Sequence, residues 1–151
     1  MTIIQGPVAK GNQGVAYPDS AGDVITNRYE MTVAAAPTPG APIANDILEI
    51  GSIPPNCRVV DMTLDTDVLT GITAADIGIM SGTPGSTDPA RTCGSEFFAA
   101  QTLVAAGVFR MSRQAGFRVS PNPAERSIGI KINAPTSVAG KVALVVLLAT
   151  A

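Results

Sequence analysis

A proline pair followed by a regular alternation of apolar and polar residues most constrains the fold. Pro54 and Pro55 cannot donate backbone hydrogen bonds, so they end any strand that precedes them. From residue 58 to residue 67 the side chains then alternate in character. The apolar positions of this run are Val60, Met62 and Leu64. Since successive side chains of a strand point to opposite faces, the run predicts a half-buried β-strand.

Similar runs, separated by glycine and proline, recur along the chain. Strands are predicted over residues 23–36, 45–53, 58–67, 76–81, 108–111, 117–119, 127–133 and 141–150. In the segment 96–106, Phe97 or Phe98 could begin a strand, but the alanines and leucine favour a helix, and we predict a helical turn or short helix that connects the sheets. About eight strands and little helix predict an all-β, single-domain β-sandwich that is jelly-roll-like.

The last predicted strand is apolar on both faces. Val145 and Leu147 occupy the face opposite to the main apolar positions. A strand of this kind either lies in the centre of a sheet or is covered by a partner. We therefore include Val145 and Leu147 among the candidate partner-binding residues.

Residues 1–22 are rich in glycine and proline and carry few large apolar side chains. Two interpretations stay open: a loose terminus, or an extended N-terminal arm that docks on a neighbouring subunit. We predict an arm over residues 1–22 and a sandwich domain over residues 23–151. The apolar residues available for docking are Ile3, Ile4, Val8, Val15 and Tyr17.

The remaining candidate contacts are a long loop and a set of arginines. Residues 82–95 show no apolar pattern, which indicates either a contact loop or a simple surface excursion. Arginine makes two-pronged hydrogen bonds to carboxylates, so exposed arginines could meet acidic residues of another subunit. The alternative is an ordinary solvated strand face. The candidate arginines are Arg91, Arg110, Arg113 and Arg118.

Composition excludes several kinds of chemistry. The chain has no histidine, so Ser-His-Asp and Cys-His nucleophiles and histidine metal sites are impossible. The aspartates Asp61, Asp65, Asp67 and Asp76 could supply oxygen ligands, but their spacing lacks the glycine and distal glutamate of a calcium loop. We expect solvated turns there, no catalytic, metal or cofactor-binding residues, and no enzymatic activity.

Net charge and hydropathy limit the classes of partner that this protein can bind. A net charge of -2 disfavours nucleic-acid binding. The longest apolar run, near the C-terminus, is far shorter than the roughly 20 residues that span a bilayer, so no membrane contact is expected. The N-terminus does not have the pattern of a signal peptide, which predicts synthesis in the cytoplasm and free thiols at Cys57 and Cys93.

Three short motifs carry a family resemblance. The sequences IPPNCRVVD, LDTDVL and ADIGIMSG resemble the cement or decoration proteins of tailed-phage heads. The resemblance covers residues 23–81, with a looser match to the final strands. The resemblance implies a jelly-roll-like sandwich without catalysis that forms a homodimer or homotrimer. It also implies binding to the major capsid protein on the outside of the virion, after synthesis in the host cytoplasm.

Two other binding roles suit the same fold. One is an all-β tail, fibre or other virion module. The other is a carbohydrate-binding sandwich, which the absence of tryptophan and the presence of only 2 tyrosines disfavour.

Overall fold

The computed structural model describes residues 1–11, 13–16 and 23–150. Nine strands and one four-residue helix lie within this part of the chain. The strands are β1 (Ile3–Gln5), β2 (Val24–Val33), β3 (Ile47–Ile53), β4 (Cys57–Thr66), β5 (Ala75–Ile79), β6 (Phe98–Gln101), β7 (Gly107–Arg110), β8 (Arg126–Ile132) and β9 (Gly140–Thr150), and the helix is α1 (Gln114–Phe117). In the same residues no helix is long and apolar enough to cross a membrane.

The strands form two sheets. One has the order β1-β3-β8-β5-β6 and the other the order β2-β9-β4-β7. All pairs are antiparallel except β1 with β3, which is parallel. A single main core of apolar side chains from both sheets fills the space between them. The predicted all-β, jelly-roll-like sandwich is confirmed.

Two predicted elements are wrong. The segment 96–106 contains the strand β6 rather than the predicted short helix, because Phe98 pairs opposite Ile77 on β5 and buries its ring in the core. The alternative, a strand that begins at Phe97 or Phe98, is the one observed. Tertiary burial of this kind overrides helix propensity. The predicted strand 117–119 is not formed: Phe117 ends α1, and residues 118–119 follow as a turn and irregular chain. Gly116 within α1 lies against Met111 and Phe97 with no room for a side chain.

A β-bulge changes which residues of β4 face the core. The register opposite β9 shifts between Val59 and Asp61, so Val59 is buried and Val60 is only half-buried. Beyond the bulge Met62 and Leu64 point inward as predicted. The prediction for Val60 is therefore wrong, because the extra residue moves it off the inward face.

The strand β2 forms one edge of the four-stranded sheet, and its predicted alternation is confirmed. Its one polar inward residue, Asn27, is buried and holds the preceding segment. The Asn27 amide accepts from the Ala16 N–H at 3.1 Å and donates to the Ala16 carbonyl at 3.3 Å. Gln13 also donates to the Arg28 carbonyl at 2.8 Å. The described part of residues 13–16 thus runs beside this edge.

Candidate functional site

A buried ion pair organises the long loop between β5 and β6. The side chain of Arg91 is only 2% exposed and that of Glu49 on β3 only 1%. The guanidinium of Arg91 donates to both carboxylate oxygens of Glu49, at 3.1 and 3.0 Å. It also donates to the carbonyls of Ser81 and Ser86, each at 2.7 Å, and to the Ser127 hydroxyl at 3.2 Å. The loop is therefore fixed to the sheet through one side chain.

This position differs from the expected role of Arg91 as a partner-binding residue. Its hydrogen bonds all go to groups of its own chain, and burial leaves almost none of its surface for a partner. The reason is Glu49, whose buried carboxylate requires a cation beside it. In the described conformation Arg91 positions the loop, and a direct contact with a partner stays a prediction.

The pKa of Glu49 reflects the same surroundings. Burial raises the pKa of this carboxyl, but hydrogen bonds from Arg91, Ser127 and the Gly85 N–H outweigh burial and hold the pKa below its usual value. Glu49 therefore stays ionised in the interior. The side chain of Gln5 on β1 donates to the Gly85 carbonyl, so the ion pair, the loop and the N-terminal strand form one connected unit.

A small cavity of about 190 Å³ opens beside this unit, between residues 8–11 and the loop. Its polar lining includes Glu49, Ser52, Glu125 and Ser127. The Ser52 hydroxyl donates to Glu125 and the Ser127 hydroxyl to Glu49, so both carboxylates are already engaged. Across residues 1–11, 13–16 and 23–150, no group of three or more acidic or cysteine side chains could hold a metal ion.

Most of the predicted docking residues of the N-terminus pack against other residues of the same chain. Ile3 is 5% exposed and packs with Ile47 and Met80, because β1 is an integral edge strand of the five-stranded sheet. Ile4 and Val8 are partly buried against the main core. Tyr17 lies outside the described residues. The division of the chain at residue 22 and the docking of its N-terminus stay predictions.

The outer face of the four-stranded sheet combines apolar and charged side chains. Val145 and Leu147 lie half-buried on β9, which is a central strand between β2 and β4. Ion pairs cross this face from edge to centre: Arg28 contacts Asp65 at 3.0 Å, reaching across β9 from β2 to β4. The central position accounts for the two apolar faces of β9, and coverage by a partner stays a prediction.

Glu30 extends this row of charges. It contacts Arg28 and Lys141, each at 3.1 Å. Hydrogen bonds from Lys141 and then from Arg28 hold the pKa of Glu30 below its usual value. Because each charged group here already has a partner, this face presents few free charges.

The predicted arginines have different surroundings. Arg110 on β7 forms an ion pair with Asp61 on β4 at 2.7 Å, although its own side chain is 74% exposed. Arg113 and Arg118 flank α1, are exposed and form no ion pair with any described residue. Arg113 and Arg118 are therefore exposed and form no described ion pair, whereas Arg110 is ion-paired and Arg91 is buried.

The four aspartates of the sequence do not form one site. Asp61 and Asp65 each pair with an arginine. Asp67 accepts the backbone N–H of Lys141 at 2.8 Å, and Asp76, on the other sheet, accepts that of Ala100 at 2.9 Å. These contacts fix strand ends and turns.

Both cysteines are free thiols, as predicted. Burial raises the pKa of Cys93 to about 12 and also raises that of Cys57. The Cys93 thiol contacts the carbonyl of Gly94 at 3.4 Å. A thiol held neutral in this way is a poor nucleophile.

Sequence reasoning missed the structural importance of Glu49. One local signal was present: an acid stands between Leu48 and Ile50 in a strand that is buried throughout. A carboxylate in such a strand needs a cation from elsewhere. The sequence does not say which arginine, because Arg91 lies 42 residues away.

Comparison with known proteins finds two structures of the same fold. A chain of the capsid of Ralstonia phage GP4 is 38% identical, with a TM-score of 0.88 over 99% of this chain and 98% of that chain. The chain belongs to the family of this phage capsid protein. A chain of the cyanophage Pam1 capsid asymmetric unit has a TM-score of 0.63 over 93% of this chain and 96% of that chain. At 18% identity it shows the shared fold alone.

Neither the protein-family models nor the curated proteins searched match this sequence. The capsid family nevertheless supports the coarse prediction of a structural protein of the phage virion.

Proposed function

We propose that this capsid-family protein is a cement, or decoration, protein. It binds the outside of the major capsid shell of a tailed phage and stabilises the shell by clamping neighbouring subunits. The observation that carries the proposal is the 38% identity to a phage capsid chain over 98% of that chain. The three motifs that resemble cement proteins lie on β4, on β5 and in the turns beside them, and support the same role.

The mechanism is thermodynamic linkage. A protein that binds the assembled shell, but not free subunits, stabilises the assembled state by mass action. Many copies on one shell multiply this effect. Clamping requires contacts with at least two neighbours, and we assign these contacts to the N-terminal arm of residues 1–22, the loop between β5 and β6, and the outer face of β9.

The protein acts in this proposal as a homodimer or homotrimer, because closed symmetric assemblies are the common form of small oligomers. Its partners are the major capsid protein and further copies of itself, without nucleic acid or membrane. No catalytic step and no cofactor are part of the role. The protein is made in the host cytoplasm and joins the exterior of the virion.

Co-sedimentation with purified phage heads that lack the protein tests the proposal. We expect binding that saturates at a fixed ratio to the major capsid protein, and heads that withstand higher temperature once loaded. An unrelated β-sandwich of similar size and charge serves as the control. Absence from heads together with recovery in a tail fraction would refute the cement role and favour another virion module.

A further inference from the structure

Many charged side chains of this protein form no ion pair within the described residues. Of the 12 acidic residues, eleven lie in the described part of the chain. All of these except Asp23 already accept a hydrogen bond inside the chain. Four of the 10 lysines and arginines form an ion pair with described residues: Arg28, Arg91, Arg110 and Lys141. Four of the eleven described acids do so: Glu30, Glu49, Asp61 and Asp65. Free positive charge therefore remains on a chain whose net charge is -2.

Most of this free positive charge lies at one end of the sandwich, which we call the arginine end. It consists of the turn between β3 and β4 and the connection from β7 to β8, and a hydrogen bond from the Asn56 N–H to the Asn122 carbonyl at 2.7 Å joins the two. Four arginines lie here: Arg58, Arg113, Arg118 and Arg126. The one acidic residue of this connection, Glu125, already accepts a hydrogen bond from the Ser52 hydroxyl.

The opposite end has a different character. It consists of residues 34–46, 67–74, 102–106 and 133–139, and these segments contain no lysine or arginine. They expose Ile43, Val68, Val104 and Val138 instead. The molecule therefore carries positive charge at one end and apolar side chains at the other, so a partner can distinguish the two ends.

The arginine end also presents an aromatic side chain. Gly116 is buried against Met111 and the Glu96 carbonyl, which holds α1 down on the core. The next residue, Phe117, is turned outward and is 47% exposed. It stands between Arg113 and Arg118 in the sequence. Phenylalanine and arginine are both enriched in protein interfaces relative to the rest of the surface.

A second observation at this end is an unsatisfied donor. Nε of Arg126 is buried and has no hydrogen-bond partner among the described residues, while its Nη2 donates to the Cys57 carbonyl at a long 3.5 Å. A buried donor without a partner costs free energy. Since this Nε is enclosed by its own chain, a bound protein would meet the exposed arginines Arg113 and Arg118 instead.

We propose that the arginine end docks on an acidic surface of another protein of the capsid. The inference deepens the proposed function and rests on it. The partner is a different protein rather than a second copy, because the exposed acids of this chain without a described ion pair are scattered over the fold. Asp23 precedes β2, Asp67 follows β4, Asp88 lies in the loop between β5 and β6, and Glu125 precedes β8. Arg113 and Arg118 pair with partner carboxylates, and Phe117 fills an apolar position between them.

Charge-removing variants test the proposal in the binding assay with phage heads. The test variant is Arg113→Ser with Arg118→Ser, accompanied by each single substitution. The matched control for the single substitutions is Lys131→Ser, which also removes a cation without a described ion pair, but away from the arginine end and from the segments assigned to clamping. Because the two arginines are exposed and without described ion pairs, the arginine variants should fold with an unchanged Tm.

We expect the test variant to bind heads at least about tenfold more weakly, with a shallower dependence on salt, while the control binds like the unaltered protein. A further variant, Phe117→Ser, should also weaken binding but leave the salt dependence unchanged.

Each other outcome has a distinct meaning. Equal binding by the arginine variants and the Lys131→Ser control would overturn the arginine-end proposal and leave the cement role standing. Failure of the unaltered protein to bind heads would overturn the cement role itself. If sedimentation shows that the test variant loses self-association but still binds heads, the surface joins copies of this chain and the proposal is wrong. Binding that nuclease treatment abolishes would assign the surface to nucleic acid and equally overturn it.

Discussion

Replacement of Arg91 by methionine should lower the free energy of unfolding far more than replacement of any exposed arginine. The substitution removes the cation from a carboxylate that is 1% exposed, together with five donor contacts that hold the loop. Breaking a buried ion pair by removing one partner costs about 3–5 kcal/mol. For a domain of this size that corresponds to a decrease in Tm of about 6–20 °C.

Arg110→Met is the matched control, since it breaks an ion pair with the same chemistry at the surface. The side chain of Arg110 is 74% exposed, so water and salt screen the pair and its loss should cost less than about 1 kcal/mol. Urea denaturation of both variants at pH 7 measures the difference directly.

The pH dependence provides a second, independent measurement. In the unaltered protein the pKa of Glu49 lies below its usual value of 4.5, so its contribution to stability is complete above pH 4.5 and is lost as the pH falls further through the folded-state pKa. Without Arg91, burial should dominate and raise the pKa of Glu49 above that value. The variant should then gain stability as the pH is lowered from 7 to 5, whereas the unaltered protein should not.

Either of two results would refute this reasoning. One is a cost for Arg91→Met no greater than that for Arg110→Met. The other is a free-energy difference between variant and unaltered protein that does not shrink between pH 7 and pH 5. Both would mean that the buried pair contributes no more than a surface pair.

Three further predictions follow from close contacts. Gly51→Ala should destabilise the protein by about 1–3 kcal/mol in urea denaturation, because an added Cβ would meet the ring of Tyr29, whereas Gly14→Ala meets open space and should be tolerated. Alkylation of Cys93 at pH 8, followed by mass spectrometry, should be about a thousandfold slower in the folded protein, since its pKa is raised from 9.0 to about 12; similar rates in folded and unfolded protein would contradict this. Asn27→Ala should cost about 1 kcal/mol and speed hydrogen exchange at residue 16, and unchanged exchange would show that this amide does not hold the segment.

The sandwich could be predicted because half-burial imposes a local period of two. The predicted strand 127–133 is observed at residues 126–132, and 141–150 at 140–150, since inward isoleucines or valines alternate with outward residues in both. Proline and glycine mark the ends of these strands without reference to the rest of the fold. Such signals do not depend on which strand lies alongside.

The features that the sequence did not predict all depend on distant partners. The bulge that turns Val60 away from the core exists only in register with β9. The short strand β6 forms because an edge of β5 is available to it, against the helix propensity of its alanines. The burial of Arg91 likewise depends on how the loop folds back over β3. The local pattern of a single sequence does not indicate which distant segments pair with one another.

The buried arginine also bears on how the loop between β5 and β6 could contribute to binding. A loop that is ordered only on contact loses conformational entropy at that moment, and this weakens association. Here five hydrogen bonds from Arg91 and an isolated bridge between Met80 and Cys93 already fix the loop, while residues 87–90 at its tip remain exposed. The entropy is lost during folding, so a partner that contacts the tip meets a preformed shape. Arg91 can therefore affect a partner-binding surface without touching a partner, and Arg91→Met should weaken any contact made by the tip even at temperatures where the variant is fully folded.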